Sequence, residues 1–271
     1  MATTRRAFLK AAGLGAAALV TDASARAKPA VKHRPNILWI TCEDMSPDLG
    51  CYGDKFAASP NLDRLASEGV RFTNAYGITG VCAPNRSCLI TGVWPSTLGS
   101  HDMRSRTRLP SNVKCFTEYL RDAGYYCTNS SKTDYNFPVP KKAWDESSGR
   151  AHWRKRKGGQ PFFAVFNFIT THESRCRGKP KDARRFDPAK VPIPPFHPDT
   201  QEVRRNWASY YENIATMDRQ AGGILQQLKE DGLADETIVF FFSDHGAGMP
   251  GVKKWVWEGG LHVPLMVRFP A

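Results

Sequence analysis

Uninterrupted apolar runs along the chain mark the strands of a sheet that is buried on both faces. The clearest runs cover residues 36–41, 162–169 and 237–242. Such runs are typical of parallel strands, because a strand that is covered on both faces has no solvent side that would require polar residues. Shorter apolar stretches at residues 125–128 and 264–269 predict two further strands.

Segments with helix signals lie between these apolar runs. The predicted helices cover residues 59–69, 84–90, 116–123 and 202–230. In the first of them Ser59 is the predicted N-cap and Pro60 lies in the first turn. The adjacent Gly222 and Gly223 mark a candidate break in the last. Apolar strands that alternate with helices predict an α/β fold, with a mostly parallel central sheet and helices on both faces.

The N-terminus has the layout of a twin-arginine export signal. Arg5 and Arg6 precede an apolar run rich in Ala and Gly, and residues 25–27 fit a small-x-small cleavage site. At about ten residues, the apolar run is too short to span a bilayer. We therefore expect residues 1–27 to be a signal peptide, with the twin-arginine translocase as a partner and a periplasmic or secreted location. A cytosolic amphipathic helix is the alternative interpretation.

The charge balance favours an anionic partner. Lys and Arg number 38 against 26 for Asp and Glu, a formal net charge of +12. Three kinds of partner match this excess of positive charge: nucleic acid, a membrane surface, and a sulfated or phosphorylated substrate. Because the sequence shows no stacking aromatic motif or recognition helix, we expect no nucleic-acid partner. We also expect no stable membrane span.

Acidic residues directly follow two of the apolar runs. Glu43 and Asp44 come after the first run, and Asp244 and His245 follow the run that ends at residue 242. Ligands in open parallel sheets bind at the carboxyl ends of the strands, so both pairs are expected in one crevice. Gathered carboxylates repel each other unless a cation is bound. Oxygen ligands suit Ca²⁺ and Mg²⁺, and the imidazole of His245 is also compatible with Zn²⁺ or Mn²⁺. Simple polar capping of strand ends is the alternative.

A third candidate element is the segment that begins at Cys82. Cys82 is placed just before a helix start, Pro84 lies in the first turn, and Arg86 follows. A helix N-terminus favours anions through its free N–H groups and its dipole, and would therefore stabilise a nucleophilic oxyanion. Taken alone, a Cys shortly before a Pro is as readily explained by packing.

The segment resembles the signature of the sulfatase family, whose cysteine is oxidised to formylglycine. The match consists of Cys-x-Pro-x-Arg at residues 82–86, followed by Leu-x-Thr-Gly at residues 89–92. Other family-like blocks are found at residues 36–53, 59–76, 243–246 and 258–265. The resemblance implies an alkaline-phosphatase-like fold, in which residues 28–271 are the N-terminal catalytic domain and a smaller C-terminal subdomain is missing.

The resemblance also implies site roles. Cys82, as formylglycine, would be the nucleophile that is covalently sulfated. Arg86 would support this group, Lys132 would be a further catalytic residue, Lys253 would hold the sulfate, and His172 would be the general acid. One divalent cation, Ca²⁺ by analogy, would be held by a set of five residues. That set is Glu43, Asp44, Cys82, Asp244 and His245.

Three positions depart from the family pattern. Asn85 replaces the usual Ser of the signature, Asp134 stands where a His is frequent, and Glu43 stands for a more common Asp. The first of these bears on recognition by the formylglycine-generating enzyme, which is the expected maturation partner. The second leaves open whether Asp134 accepts a proton from the nucleophile.

The expected substrate is a sulfated carbohydrate, carrying either an ester sulfate or a sulfamate. His101, Asp102 and Arg104 follow the signature helix and are candidate sugar contacts. Two rivals remain: a catalytically impaired fragment that binds sulfated glycans, and a phosphatase or phosphonate hydrolase of the same superfold.

Overall fold

A seven-stranded sheet organises the part of the chain that the structure, a computed structural model, describes. The described residues are 34–176 and 185–270, so the predicted signal peptide lies outside them. Within these ranges, no helix is long and apolar enough to cross a membrane.

The centre of the sheet is parallel, as predicted. The strands are β1 Asn36–Cys42, β2 Val70–Phe72, β3 Tyr126–Ser130, β4 Glu146–Ser147, β5 Phe162–Phe168, β6 Thr237–Ser243 and β7 Leu265–Arg268. Their order is β2-β7-β6-β1-β5-β3-β4. β1 pairs in parallel with β5 on one side and with β6 on the other. Only β7 runs antiparallel to its two neighbours, β6 and β2. The carboxyl ends of β6, β1, β5 and β3 therefore share one edge.

Helices cover both faces of the sheet. They are α1 Pro60–Ser67, α2 Cys82–Thr91, α3 Pro95–Leu98, α4 Phe116–Asp122, α5 Glu173–Cys176, α6 Gln201–Glu230 and α7 Glu258–Leu261. Single 3-10 turns occur at Gly50–Tyr52, Trp153–Lys155 and Ala234–Glu236. Leu38 and Ile40 of β1 pack on the face of α1 and α6, whereas Ile37 and Trp39 pack on the face of α2 and α4. This two-sided packing explains why β1 needs an uninterrupted apolar run.

The long helix α6 is continuous, so the break considered at the paired glycines does not occur. A Cβ atom at Gly222 would lie 2.5 Å from the side chain of Asn61 in α1. One turn earlier, Asp218 accepts the backbone N–H groups of Asn61 and Leu62 at 3.3 and 2.9 Å. The glycine is therefore needed for close approach of two helices, and its helix-breaking tendency is overcome by packing.

Ser59 is the N-cap residue of α1, as predicted, but the backbone N–H groups at the start of the helix are bound by a residue of α6. Ser59 occupies the N-cap position, but its side chain makes no capping hydrogen bond. Its hydroxyl accepts the N–H of Gly50 and donates to Asp63 instead. The free N–H groups at the start of α1 are satisfied by Asp218 from α6, a partner that is distant in sequence.

Replacing Asp48 by Asn should stabilise the fold at neutral pH and have little effect near pH 4. Burial raises the pKa of this carboxyl to about 6 from 3.8, although Tyr210 donates a hydrogen bond to it at 2.7 Å. A raised carboxyl pKa means that the folded state loses stability as pH rises from about 4 to 6. Thermal unfolding at pH 7.5 should show a gain of roughly 3–6 °C, corresponding to about 1–2 kcal/mol.

The matched control for this change is Asp235→Asn. Asp235 is exposed, so its replacement should shift the melting temperature equally little at both pH values. A gain for Asp48→Asn that is the same at pH 4 and pH 7.5 would contradict the linkage argument.

Candidate active site

Ionisable side chains meet where the central strands end. Glu43 and Asp44 follow β1, Asp244 and His245 follow β6, and His172 lies four residues beyond β5. All of these except His172 are almost completely buried. The parallel register places the ends of β1, β5 and β6 side by side, which is why residues far apart in sequence converge here.

Cys82 is the first residue of α2, not the residue before it as predicted. Val81 is the N-cap in an extended conformation, and Pro84 lies in the first turn, as expected. The side chain of Cys82 is 1 % exposed, and its Sγ lies 3.3 Å from Nε2 of His245. Burial alone would raise the pKa of the Cys82 thiol, but hydrogen bonds from His172 and His245 outweigh burial and lower it. The position therefore favours an anion, in agreement with the sequence prediction.

Asp44 lies between His245, which contacts Cys82, and Lys253. Its Oδ2 accepts the N–H of Glu173 at 2.7 Å and a hydrogen bond from Lys253 Nζ at 2.7 Å. Its Oδ1 lies 3.1 Å from Nε2 of His245 but accepts no hydrogen bond of ordinary geometry from the described residues. Burial raises the pKa of Asp44, yet the contacts with His245 and Lys253 prevail and lower it, so that Asp44 is ionised at neutral pH.

Arg86 joins the carboxylates that follow β1 and β6. Its Nε donates to Asp244 Oδ2 at 3.0 Å, Nη2 lies 3.4 Å from Glu43 Oε1, and Nη1 donates to Asn167 Oδ1 at 2.9 Å. Burial would lower the pKa of Arg86, but Asp244 and Glu43 raise it. The guanidinium therefore remains a fixed positive charge one turn after Cys82.

His245 presents one ring nitrogen to the centre of the site. Its Nδ1 lies 2.9 Å from the carbonyl oxygen of Gly246, which only accepts, so Nδ1 carries a proton. Nε2 faces Cys82 and Asp44, and it lies 3.7 Å from Asp244 Oδ1. Burial lowers the pKa of His245, but the carboxylates of Asp244 and Asp44 raise it well above its ordinary value. Loss of the Nε2 proton would provide a nitrogen ligand.

Two lysines bracket the carboxylates. Lys132 Nζ makes an ion pair with Glu43 Oε1, and Lys253 Nζ lies 2.7 Å from Asp44 and 3.2 Å from Glu173. Burial would lower the pKa of both lysines, but the neighbouring carboxylates raise it, so both are cationic. Lys253 is only 7 % exposed, so it is a buried charge and not a solvated surface lysine.

The donor set combines carboxylate oxygens with an imidazole nitrogen and the Cys82 sulfur, and it could hold a divalent cation. Ligand-type atoms of Asp44, Cys82 and His245 all lie within 4.8 Å of one another. Oε2 of Glu43 is buried and has no hydrogen-bond partner among the described residues, so this oxygen is available for coordination. Asp244 adjoins the group through its contacts with Asp44 and His245. Three of the five predicted ligands therefore converge directly, while Asp244 contacts two of these three and Glu43 shares Arg86 with Asp244.

His172 faces Cys82 from the loop after β5. The N–H of Ser174 donates to Nδ1 of His172 at 3.3 Å, which leaves the proton of the neutral ring on Nε2. A hydrogen bond with Cys82 raises the pKa of His172 above its ordinary value. A half-buried imidazole with this tautomer and a raised pKa is suited to donate a proton.

Three residues that sequence reasoning missed complete the site. Asn167 accepts hydrogen bonds from Arg86 and Thr41 and donates to Asn129 at 2.9 Å. Thr171 donates to the carbonyl oxygen of Glu43 at 2.6 Å, and Glu173 contacts Lys253 and Asp44. Asn167 had a detectable signal, because it is the one polar residue in the apolar run of β5.

Asn85, the departure within the signature, is built into the fold. Its side-chain N–H donates to the carbonyl oxygen of Asp244, and its Oδ1 accepts the N–H of Ile78 at 3.1 Å. The side chain is 3 % exposed. Asn85 thus ties the start of α2 to the end of β6, a positioning task for which its amide has the required donor and acceptor.

The three predicted sugar contacts lie on an exposed loop after α3. The side chains of His101 and Asp102 are both largely exposed, and they lie 3.8 Å from each other. Arg104 makes an ion pair with Asp134, which in turn lies 3.5 Å from Lys132. Arg104 is therefore linked to the site through two charged contacts, whereas the roles of His101 and Asp102 stay predictions.

Comparison with known proteins shows which family this chain matches. A family model for sulfatases matches residues 35–152 and 150–271. An ulvan-active sulfatase of Formosa agariphila is 41% identical over 285 residues, covering 88% of this chain and 48% of that protein. The iduronate 2-sulfatase of Homo sapiens is 24% identical, covering 87% of this chain and 60% of that protein. The chain thus spans about half the length of the curated relatives it matches.

Solved structures establish the fold. A phosphonate monoester hydrolase of Agrobacterium radiobacter superposes with a TM-score of 0.69 at 21% identity, covering 88% of this chain and 68% of that one. A 2-O GAG sulfatase superposes with a TM-score of 0.68, also at 21% identity, covering 88% and 64%. Both support the predicted alkaline-phosphatase-like architecture, and at this identity they show the fold alone.

Proposed function

This chain belongs to the sulfatase family, and from that premise we propose that it is a cation-dependent hydrolase of sulfate esters or sulfamates whose nucleophile is made from Cys82. The observation that carries the proposal is the position of Cys82. It begins helix α2 beside His172 and His245 and adjoins Asp44. A buried anion-favouring position next to cation ligands is what attack on a sulfate ester requires.

Two groups would complete this chemistry. Formylglycine at position 82, if formed, would supply a hydrated aldehyde with two hydroxyl groups, one as the nucleophile and one for regenerating the aldehyde. A divalent cation held by Glu43, Asp44, Asp244, His245 and residue 82, Ca²⁺ by family analogy, supplies positive charge that stabilises the deprotonated nucleophile and polarises a sulfate oxygen.

The protein's own residues orient the reaction. Lys132 and Lys253 are cationic and flank the nucleophile position, so they are placed to bind sulfate oxygens. Arg86 holds Asp244 and Glu43 in fixed orientation and keeps its charge next to residue 82. His172 would donate its Nε2 proton to the leaving oxygen or nitrogen, which makes the departing sugar a neutral alcohol or amine.

Sulfated carbohydrate is the proposed substrate class. The ulvan-active, iduronate and GAG sulfatases named above act on sulfated glycans according to their names. The formal net charge, +12 for the full sequence and +9 without the proposed signal peptide, favours such anionic chains. Export through the twin-arginine translocase to the periplasm or beyond, and maturation by a formylglycine-generating enzyme, belong to the same proposal.

Cys82 should be converted to formylglycine when the chain is produced together with a maturation enzyme. Peptide mass spectrometry across residues 82–86 should show the aldehyde, which a hydrazide reagent should label. Sulfate release from a sulfated oligosaccharide should then rise in proportion to the converted fraction. The matched control is a Cys82→Ser chain made with the same maturation enzyme.

Substrate class can be assigned in the same preparation. The sulfate ester and a phosphonate monoester of one alcohol should be compared with the sulfamate of the corresponding amine, since the fold is shared with phosphonate hydrolases. A higher kcat/KM for the phosphonate would replace the proposal by that rival. An unmodified thiol together with tight oligosaccharide binding and no turnover would favour the sulfated-glycan binder.

A further inference from the structure

Side chains of opposite charge alternate from the buried site to the protein surface. Lys132 contacts Glu43 Oε1 and lies 3.5 Å from Asp134 Oδ2. The other oxygen of Asp134 makes an ion pair with Nη1 of Arg104. The side chain of Glu43 is 1 % exposed, those of Lys132 and Asp134 are partly buried at 22 % and 12 %, and that of Arg104 is 66 % exposed. The series therefore leads from the buried end of Lys132 to a cation in solvent.

The two loops that carry Arg104 and Asp134 are fastened to each other. The side-chain amide of Asn136 donates to the carbonyl oxygens of Ser100 and Asp102 at 2.9 and 2.8 Å. The N–H of Thr107 donates to the carbonyl oxygen of Asn136 at 2.9 Å. Asn136 itself is buried. These bonds lie on both sides of Arg104 in sequence, so its backbone is held at a fixed place relative to Lys132.

Several hydrogen-bond donors of the Arg104 guanidinium are not used by Asp134. A guanidinium carries five N–H donors, and Asp134 engages only one end of this one. Within the described part of the chain, Nε and Nη2 of Arg104 have no hydrogen-bond or ion-pair partner. A guanidinium fork of this kind pairs well with the oxygens of a carboxylate or a sulfate.

Resting on the proposed function, we propose that Arg104 is a specificity-determining residue that binds a second anionic group on the sugar chain. Asp134 is the positioning residue that holds it. Nη1 of Arg104 lies roughly 8 Å or less from Lys132 Nζ, the span of two charged contacts and one carboxylate. That separation matches an anionic substituent on the sulfated sugar or on the next one. A uronate carboxylate and a second sulfate share the required chemistry.

The test compares three sulfated disaccharides that share one scissile sulfate. One carries a carboxylate, one carries the same carbon reduced to an alcohol, and one carries a second sulfate. The matured wild-type chain should prefer the anionic substrates over the reduced one. Arg104→Gln should lower that preference, as the ratio of kcat/KM values, by about tenfold or more, mainly through KM.

Asp134→Asn should lower the same ratio by a smaller factor. Asn accepts the left-handed backbone at this position, where φ is 50°, so the loop conformation is preserved while the ion pairs are lost. Arg108→Gln removes the same charge from the same exposed loop and should leave the ratio at its wild-type value. If Arg104→Gln loses the preference for the carboxylate substrate alone, the second anionic group is a uronate. If it loses the preference for the disulfated substrate alone, that group is a second sulfate.

Equal ratios in wild type and Arg104→Gln would overturn the inference, as would a wild type with no preference for the anionic substrates. If no variant releases sulfate, the proposed function has failed separately. Calorimetric titration with the three disaccharides then tests whether Arg104 binds the second anionic group. A preference for anionic ligands that Arg104→Gln abolishes would support it, and unchanged selectivity would refute it.

Discussion

Replacing Cys82 by alanine should lower kcat for a sulfated oligosaccharide by about four orders of magnitude or more in the matured enzyme. The reason is that alanine removes the covalent step itself, while the lysines that would bind sulfate remain. KM should therefore change far less than kcat. The measurement is sulfate release under saturating substrate, with protein matured in parallel. We expect the variant to fold, because it removes one sulfur atom from the first turn of α2.

Cys88→Ala is the matched control for that result. Cys88 lies on the same helix and is 7 % exposed, but burial raises its pKa and its thiol is not among the site contacts. Its loss should leave kcat within a few-fold of the wild type. Comparable turnover by the Cys82→Ala and wild-type chains would eliminate residue 82 as the nucleophile, whatever its modification.

The sheet was predictable where burial dictates composition. β1, β5 and β6 are covered on both faces, so an apolar run was sufficient to locate each of them. β2 and β4 were missed because they are three and two residues long, and the side chains of β2 are all exposed. Such short edge strands form by pairing with a neighbour, which leaves little pattern in their own residues.

The site was predictable where strand ends and the helix start gave a local signal. Glu43, Asp44, Asp244 and His245 follow apolar runs directly, and the register of β1 with β6 brings them together. Thr171 and Glu173 carry no such signal, because Thr171 lies in the loop after β5 and Glu173 begins the four-residue helix α5, whose position depends on packing against α6. The pairing of Asp134 with both Lys132 and Arg104 could not be predicted from the sequence either, since it depends on two loops that only the fold places side by side.

Asp44→Asn should weaken Ca²⁺ binding about 100-fold or more and lower kcat/KM to a similar extent. Asp44 offers a buried oxygen, Oδ1, that accepts no hydrogen bond of ordinary geometry from the described residues, and its contacts keep it ionised at neutral pH. The amide has the same shape but lacks the charge, which is the main attraction for a hard cation. Titration calorimetry measures the affinity directly and requires no turnover.

Asp145→Asn separates loss of a ligand from loss of an ion pair. Asp145 pairs with Arg121 at 2.7 Å in a half-exposed position, far along the chain from the strand-end carboxylates. Its replacement should leave Ca²⁺ affinity unchanged. Stability must be measured alongside, because the Asp44 variant weakens a buried contact with Lys253, and breaking a buried ion pair costs about 3–5 kcal/mol. Added Ca²⁺ should raise the melting temperature of the wild type and of Asp145→Asn, but not that of Asp44→Asn. An equal rise in all three would place the cation elsewhere.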